Sequence, residues 1–211
     1  MALLDDLAAL YGQDAAPGLL RQLQGLASAF APRITALKVG FDEREVVVIA
    51  YPDHLLNSNE RPLQTLRHWL GQHLGGLVST IHVLPFHPST SYEGYAITDY
   101  EAVDPRFGDW SELHELGRHF GLMFDFVLNH CSSQHPWFEQ FQRDEPPGRD
   151  YFISVEDPTS AWLQGVYRAR NLPLLHPIQT PRGPRHVWTT YSPDLVDLNW
   201  REPALCVELC R

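Results

Sequence analysis

One short stretch concentrates side chains able to do chemistry: Asp125-Phe126-Val127-Leu128-Asn129-His130. If it is a β-strand, alternation points Asp125, Val127 and Asn129 to one face, placing a carboxylate and an amide inside an apolar run. Burying them costs free energy unless they are hydrogen-bonded, so a polar network is expected around them. His130 comes at the strand's exit, where a side chain reaches a ligand. Singly, each reads as a satisfied core polar group; three together at one strand end point to a site. The eleven histidines contain no H-x-H or H-E-x-x-H pair, and His130 and His135 have a loop and a proline nearby, so metal-dependent hydrolysis finds little support. Cys206 and Cys210 are one helical turn apart, but no further Cys or His pair stands near to finish a metal site. They read as two small apolar residues on a helix face.

The elements that must position this stretch alternate. Val46-Val47-Val48-Ile49-Ala50-Tyr51, Ile81-His82-Val83-Leu84 and Leu122 to Leu128 are short apolar runs of the kind buried on both faces of a parallel sheet. Between them, Leu63, Leu66, Leu70 and Leu74 mark a helix closed by Gly75-Gly76, and Trp110 to Phe120 marks another with Ser111 as its cap. Strand, helix, strand, helix, strand is the pattern of right-handed βαβ units in a parallel sheet or barrel. Before them, 1–30 read as two amphipathic helices divided by Pro17-Gly18. After them, 131–190 show no clear period and read as a loop-rich insertion, and Glu202 to Arg211 as the start of one more helix. A closed eight-stranded βα barrel takes ~250 residues. The expected fold is therefore α/β, an incomplete (β/α)8 TIM barrel of three strand–helix units. It is divided into a helical extension (1–45), barrel (46–130), inserted domain (131–190) and return to the barrel (191–211).

Sixteen basic against twenty-six acidic residues give a net charge of −10, which argues against nucleic acid or an anionic membrane as partner. No apolar run reaches the ~18 residues of a membrane span, the first residues lack signal-peptide features, and three cysteines suit a reducing cytosol. A cytoplasmic location is expected.

The strand-end stretch resembles the D-x-V-x-N-H segment of glycoside hydrolase family 13, the α-amylase family. Gly94-Tyr95-Ala96-Ile97-Thr98-Asp99-Tyr100, then Val103-Asp104-Pro105 and Phe107-Gly108, resemble its G-Y-x-x-x-D-Y…V-x-P…F-G stretch, and Pro193 to Asn199 resembles the segment leaving its inserted domain. His82-Val-Leu-Pro-Phe86, Arg168-Ala-Arg170-Asn-Leu-Pro-Leu-Leu175 and Arg185-His-Val-Trp188 resemble the sucrose phosphorylase branch, with its glucosylglycerate phosphorylase-like members. The resemblance implies retaining double displacement on an α-glucoside with phosphate as acceptor, using two carboxylates ~5–5.5 Å apart and no cofactor or metal. By the family's order those carboxylates follow position 211, so no catalytic residue is expected here and the chain alone is expected to be inactive.

The resemblance also implies a substrate-binding set. His130 matches a ring-hydroxyl contact, Tyr95 an apolar platform under the sugar, Asp125 and Asn129 supports of that wall, and Asp99 a carboxylate organising the loop. Two positions depart from the branch: Tyr92 stands for an Asp, with Glu93 beside it as a displaced substitute, and Leu195 for a Gln. A second expectation is a non-catalytic fragment acting as an interaction protein, associating with a full-length homologue.

Overall fold

The computed structural model describes residues 2–33, 42–166 and 171–211; Arg168 and Arg170 of the branch-like stretch lie outside them, as does part of the extension. Strands β1 (Val47–Ala50), β2 (Thr80–Val83) and β3 (Gly121–Phe124) form one parallel sheet in the order β1-β2-β3. Register places Val48, Ile81 and Leu122 in one row, with Ala50, Val83 and Phe124 in the next on the same face. Helices α3 (Pro62–Leu74) and α4 (Trp110–Gly117) cover that face through Leu63, Leu66, Leu70, Leu113 and Leu116, all buried. The opposite rows, Val47-Thr80-Gly121 and Ile49-His82-Met123, face no helix, and Val47 (43%), Ile49 (59%) and Met123 (43%) are exposed. Among the described residues, neither edge strand of the sheet has a further partner.

Several local readings are corrected. Helices α1 (Ala2–Tyr11) and α2 (Ala16–Phe30) part at Gly12, whose φ of +87° makes the turn, while Pro17 sits in the first turn of α2, where its missing N–H is not needed. Asp109, not Ser111, caps α4: its carboxylate accepts from the Ser111 N–H, and Glu112 accepts from the Asp109 N–H. The insertion is far from structureless. It holds α5 (Pro136–Arg143) and an antiparallel sheet in the order β5 (Ser154–Val155), β7 (Gly183–Trp188), β6 (Leu175–Thr180). Pro177 is tolerated because β6 is an edge strand, and Pro184 because β5 pairs only with His186 and Val187 of β7.

A two-stranded ladder, β4 (His130–Ser132) against β8 (Leu195–Asp197), carries the chain into and out of this unit. Phe138, Phe141, Phe152, Val196, Leu198 and Leu205 of α6 (Pro203–Leu209) form its core. Leu7, Ala16 and Leu19 of the N-terminal helices close on Val207 at the outer side of α6. Among the described residues no helix is long and apolar enough to cross a membrane, and no group of three or more His, Cys, Asp and Glu is arranged to hold a metal ion.

Candidate functional site

His130 opens β4 opposite Asp197, and only 7% of it is exposed. The Asn129 side-chain amide lies 3.3 Å from its Nδ1. An amide nitrogen only donates, so the neutral ring carries its proton on Nε2. That Nε2 is buried and has no hydrogen-bond partner. Burial lowers the ring's pKa; Asp197, the Tyr95 backbone and Asp194 oppose that shift without cancelling it. His130 is thus neutral at pH 7, with the Tyr95 backbone in reach of its ring but no well-formed hydrogen bond at Nε2. The Tyr191 ring meets it edge-on at 5.4 Å, and Tyr100 fixes its backbone by donating to the carbonyls of Val127 (3.0 Å) and His130 (3.2 Å).

Tyr95 is placed by Gly94. At φ +83°, Gly94 packs so closely on Pro85 that a Cβ would stand 2.9 Å from both the Pro85 carbonyl oxygen and its Cβ. Only glycine fits there. The same loop is held by Thr90 N–H to the Ala96 carbonyl (3.0 Å) and tied to β4 by Ser132 N–H to the Ile97 carbonyl (2.9 Å). Burial raises the pKa of the half-buried Tyr95, with Asp125, Tyr51 and Glu93 adding to the rise, which places all three near its hydroxyl.

The strand reading of 122–130 needs correction. β3 stops at Phe124, so Asp125, Val127 and Asn129 do not share a strand face: Asp125 is half-buried, Val127 buried and Asn129 exposed. Its partner β2 ends at Val83, opposite Phe124, so the ladder stops there and the chain turns to bring His130 against β8. Asp125 remains at the site. Its Oδ2 is buried without a hydrogen-bond partner, 3.4 Å from Nε2 of His82. Asp99 is turned elsewhere: its Oδ1 accepts from the Glu101 N–H (2.8 Å), and its charge acts on His87 and His135. Glu93 and Tyr92 are exposed at the loop tip.

Residues 92–95, 125 and 130 therefore gather at the C-terminal rim of the sheet, whereas Asp99 is directed to Glu101, His87 and His135. The wall is open: neither of two large clefts, of 940 and 620 Å³, is lined by Tyr95 or His130, although Asn129 and Asp125 border one each. The two nearby aspartates are engaged, Asp197 by the N–H and hydroxyl of Thr190 and Asp194 by the Thr90 hydroxyl. Sequence reasoning missed Tyr191, Tyr51 and His82. Tyr51 ends the first apolar run and Tyr191 precedes the return segment, and position at a strand exit was the available signal.

The family model "Alpha amylase, catalytic domain" matches residues 72–209. Glucosylglycerate phosphorylase of Allomeiothermus silvanus is 40% identical over 99% of this chain and 37% of its own length. That of Escherichia coli is 39% identical over 82% of this chain and 31% of its own. The chain thus spans about a third of the length of these relatives. In fold, sucrose 6F-phosphate phosphorylase of Thermoanaerobacter thermosaccharolyticum superposes with a TM-score of 0.69 at 24% identity, covering 82% of this chain and 38% of that one. The chain belongs to the α-amylase family, glycoside hydrolase family 13, with sucrose and glucosylglycerate phosphorylases among its relatives.

Proposed function

We propose that this chain is the sugar-binding N-terminal part of an α-glucoside phosphorylase, and that it holds a glucosyl ring but does no chemistry alone. The observation that carries this reading is the buried, neutral His130 ring, which has no well-formed hydrogen bond at Nε2, the Tyr191 ring edge-on to it and the Tyr95 backbone in reach. A donor with a poorly satisfied N–H beside an aromatic ring suits a ligand with a flat apolar face and hydroxyls at its edge. In this reading β1, β2 and β3 are the first three strands of an eight-stranded barrel, 1–45 a helical extension, 131–190 the inserted domain and 191–211 the return. Phosphate is the acceptor, no cofactor takes part, and the chain works in the cytosol, as three free thiols suit.

Retention needs a nucleophilic and a proton-donating carboxylate ~5–5.5 Å apart across the scissile bond, and this reading gives neither role to Asp194 or Asp197, which brace the return segment through Thr90 and Thr190. The purified chain with sucrose or glucosylglycerate plus phosphate is expected to release no glucose 1-phosphate, yet to bind methyl α-D-glucopyranoside by calorimetry. His130→Ala is expected to weaken that binding about tenfold or more, the effect of losing one buried hydrogen bond of ~1–3 kcal/mol. Release of glucose 1-phosphate, or unchanged binding by His130→Ala, contradicts the reading.

The exposed Val47, Ile49 and Met123 and the unpaired strand edges favour a second reading, an interaction protein. A full-length homologue has a closed barrel without edges, so the partner that fits is an open piece supplying the remaining parallel strands. Sedimentation of this chain with such a C-terminal piece tests it: a 1:1 complex supports it, and two non-associating species do not.

A further inference from the structure

His82 stands outside the residues assigned above, yet it is the one imidazole on the helix-free face of the sheet. Register puts it between Ile49 of β1 and Met123 of β3. Its side chain is 18% exposed and that of Asp125 28%, and Nε2 and Oδ2 approach to 3.4 Å. Both atoms are buried, and neither completes a hydrogen bond in this ligand-free arrangement. Asp125 in turn lies within electrostatic reach of the Tyr95 hydroxyl. β2, the exit of β3 and the Gly94-Tyr95 turn are thereby linked through one carboxylate.

We propose that His82 is a positioning residue for the sugar wall: its Nε2–H engages Asp125 Oδ2 and fixes that carboxylate beneath Tyr95. The 3.4 Å pair shortens into a hydrogen bond when a glucosyl ring presses on Tyr95, as polar contacts at binding sites tighten on occupancy. Two buried polar atoms with no other partner each carry a desolvation cost that only this contact relieves. Neither Ile49 nor Met123, its neighbours in the row, offers His82 a polar alternative. The proposal rests on the reading of Tyr95 and His130 as a glucosyl wall.

The test uses the full chain as wild type, His82→Phe, His82→Gln, Asp125→Asn and His130→Ala. Ring nitrogen resonances of His82 report which nitrogen is protonated, and titration with methyl α-D-glucopyranoside reports affinity. The wild type is expected to show protonated Nε2, with a resonance that moves on glucoside addition and in Asp125→Asn. His82→Phe should bind about tenfold more weakly, and His82→Gln, whose amide also donates, should recover most of that loss. If His130→Ala loses affinity while His82→Phe binds as the wild type does, the positioning role is wrong and the wall stands. If the wild type binds no glucoside, the wall itself falls. The His82–Asp125 contact is then overturned as well by an Nδ1-protonated ring that ignores Asp125→Asn.

Discussion

His130 has its function set by two neighbours rather than by its own type. Asn129 occupies Nδ1 and burial keeps the ring neutral, leaving Nε2–H for a ligand. The folded pKa lies below the ordinary 6.5. Glucoside affinity is therefore expected to be flat from pH 8 to 6.5 and to fall only at lower pH. There Nδ1 also becomes a donor and opposes the Asn129 amide. A titration across pH 5–8 checks this; affinity that already changes between pH 7 and 8 points to another group. His130 and Tyr95 were legible because the family motif names both positions. His82 and Tyr191 were not. Their roles arise from contacts between segments far apart in sequence, His82 with Asp125 and Tyr191 with His130, which no local spacing encodes.

Two segments hold this arrangement in place. The Gly94 turn is expected to be intolerant: Gly94→Ala places a methyl group against Pro85 in a left-handed backbone conformation, costing about 1–3 kcal/mol. Chemical denaturation should show that loss, and glucoside binding should weaken with it because Tyr95 moves. α5 is capped by a histidine, His135, whose Nδ1 accepts from the Trp137 N–H and whose pKa burial lowers to about 4. Unfolded, the ring protonates near 6.5, so the unfolded state binds more protons below that pH. Stability is complete above about 6.5 and lost as pH falls toward about 4, by about 3 kcal/mol from this residue. His135→Asn keeps a side-chain cap and removes the titration, so its melting temperature should fall less steeply between pH 6.5 and 4.5; an unchanged slope contradicts this. Helix α3 and the three apolar strands were legible from periodicity. The length of β3 was not, because a strand's end depends on whether a neighbour accepts its backbone bonds. The β6–β7 hairpin was hidden by Pro177 and Pro184, which local rules count as breakers and sheet position permits.

At the scale of the molecule, a sheet packed on one face and bare on the other sets the chain's behaviour. Ile81 is completely buried under α3 and α4, whereas Ile49, one strand away, is 59% exposed. Ile49→Lys is expected to change stability by no more than about 0.5 kcal/mol and to improve solubility, whereas Ile81→Lys unfolds the chain. Denaturation curves and light scattering of the two variants separate these outcomes. The α/β class was readable from strand–helix alternation. The seat of the N-terminal helices on Val207 of α6 was not, since an amphipathic pattern shows that a face is buried but not against what. The central claim, that Tyr95, Tyr191 and His130 form a glucosyl-binding wall, is tested most directly by mapping aromatic resonances of the intact chain during addition of methyl α-D-glucopyranoside. The account predicts that these three rings shift together and saturate with one affinity. Shifts confined to the Trp162–Trp188 pair in the larger cleft, or no shifts at all, would contradict it.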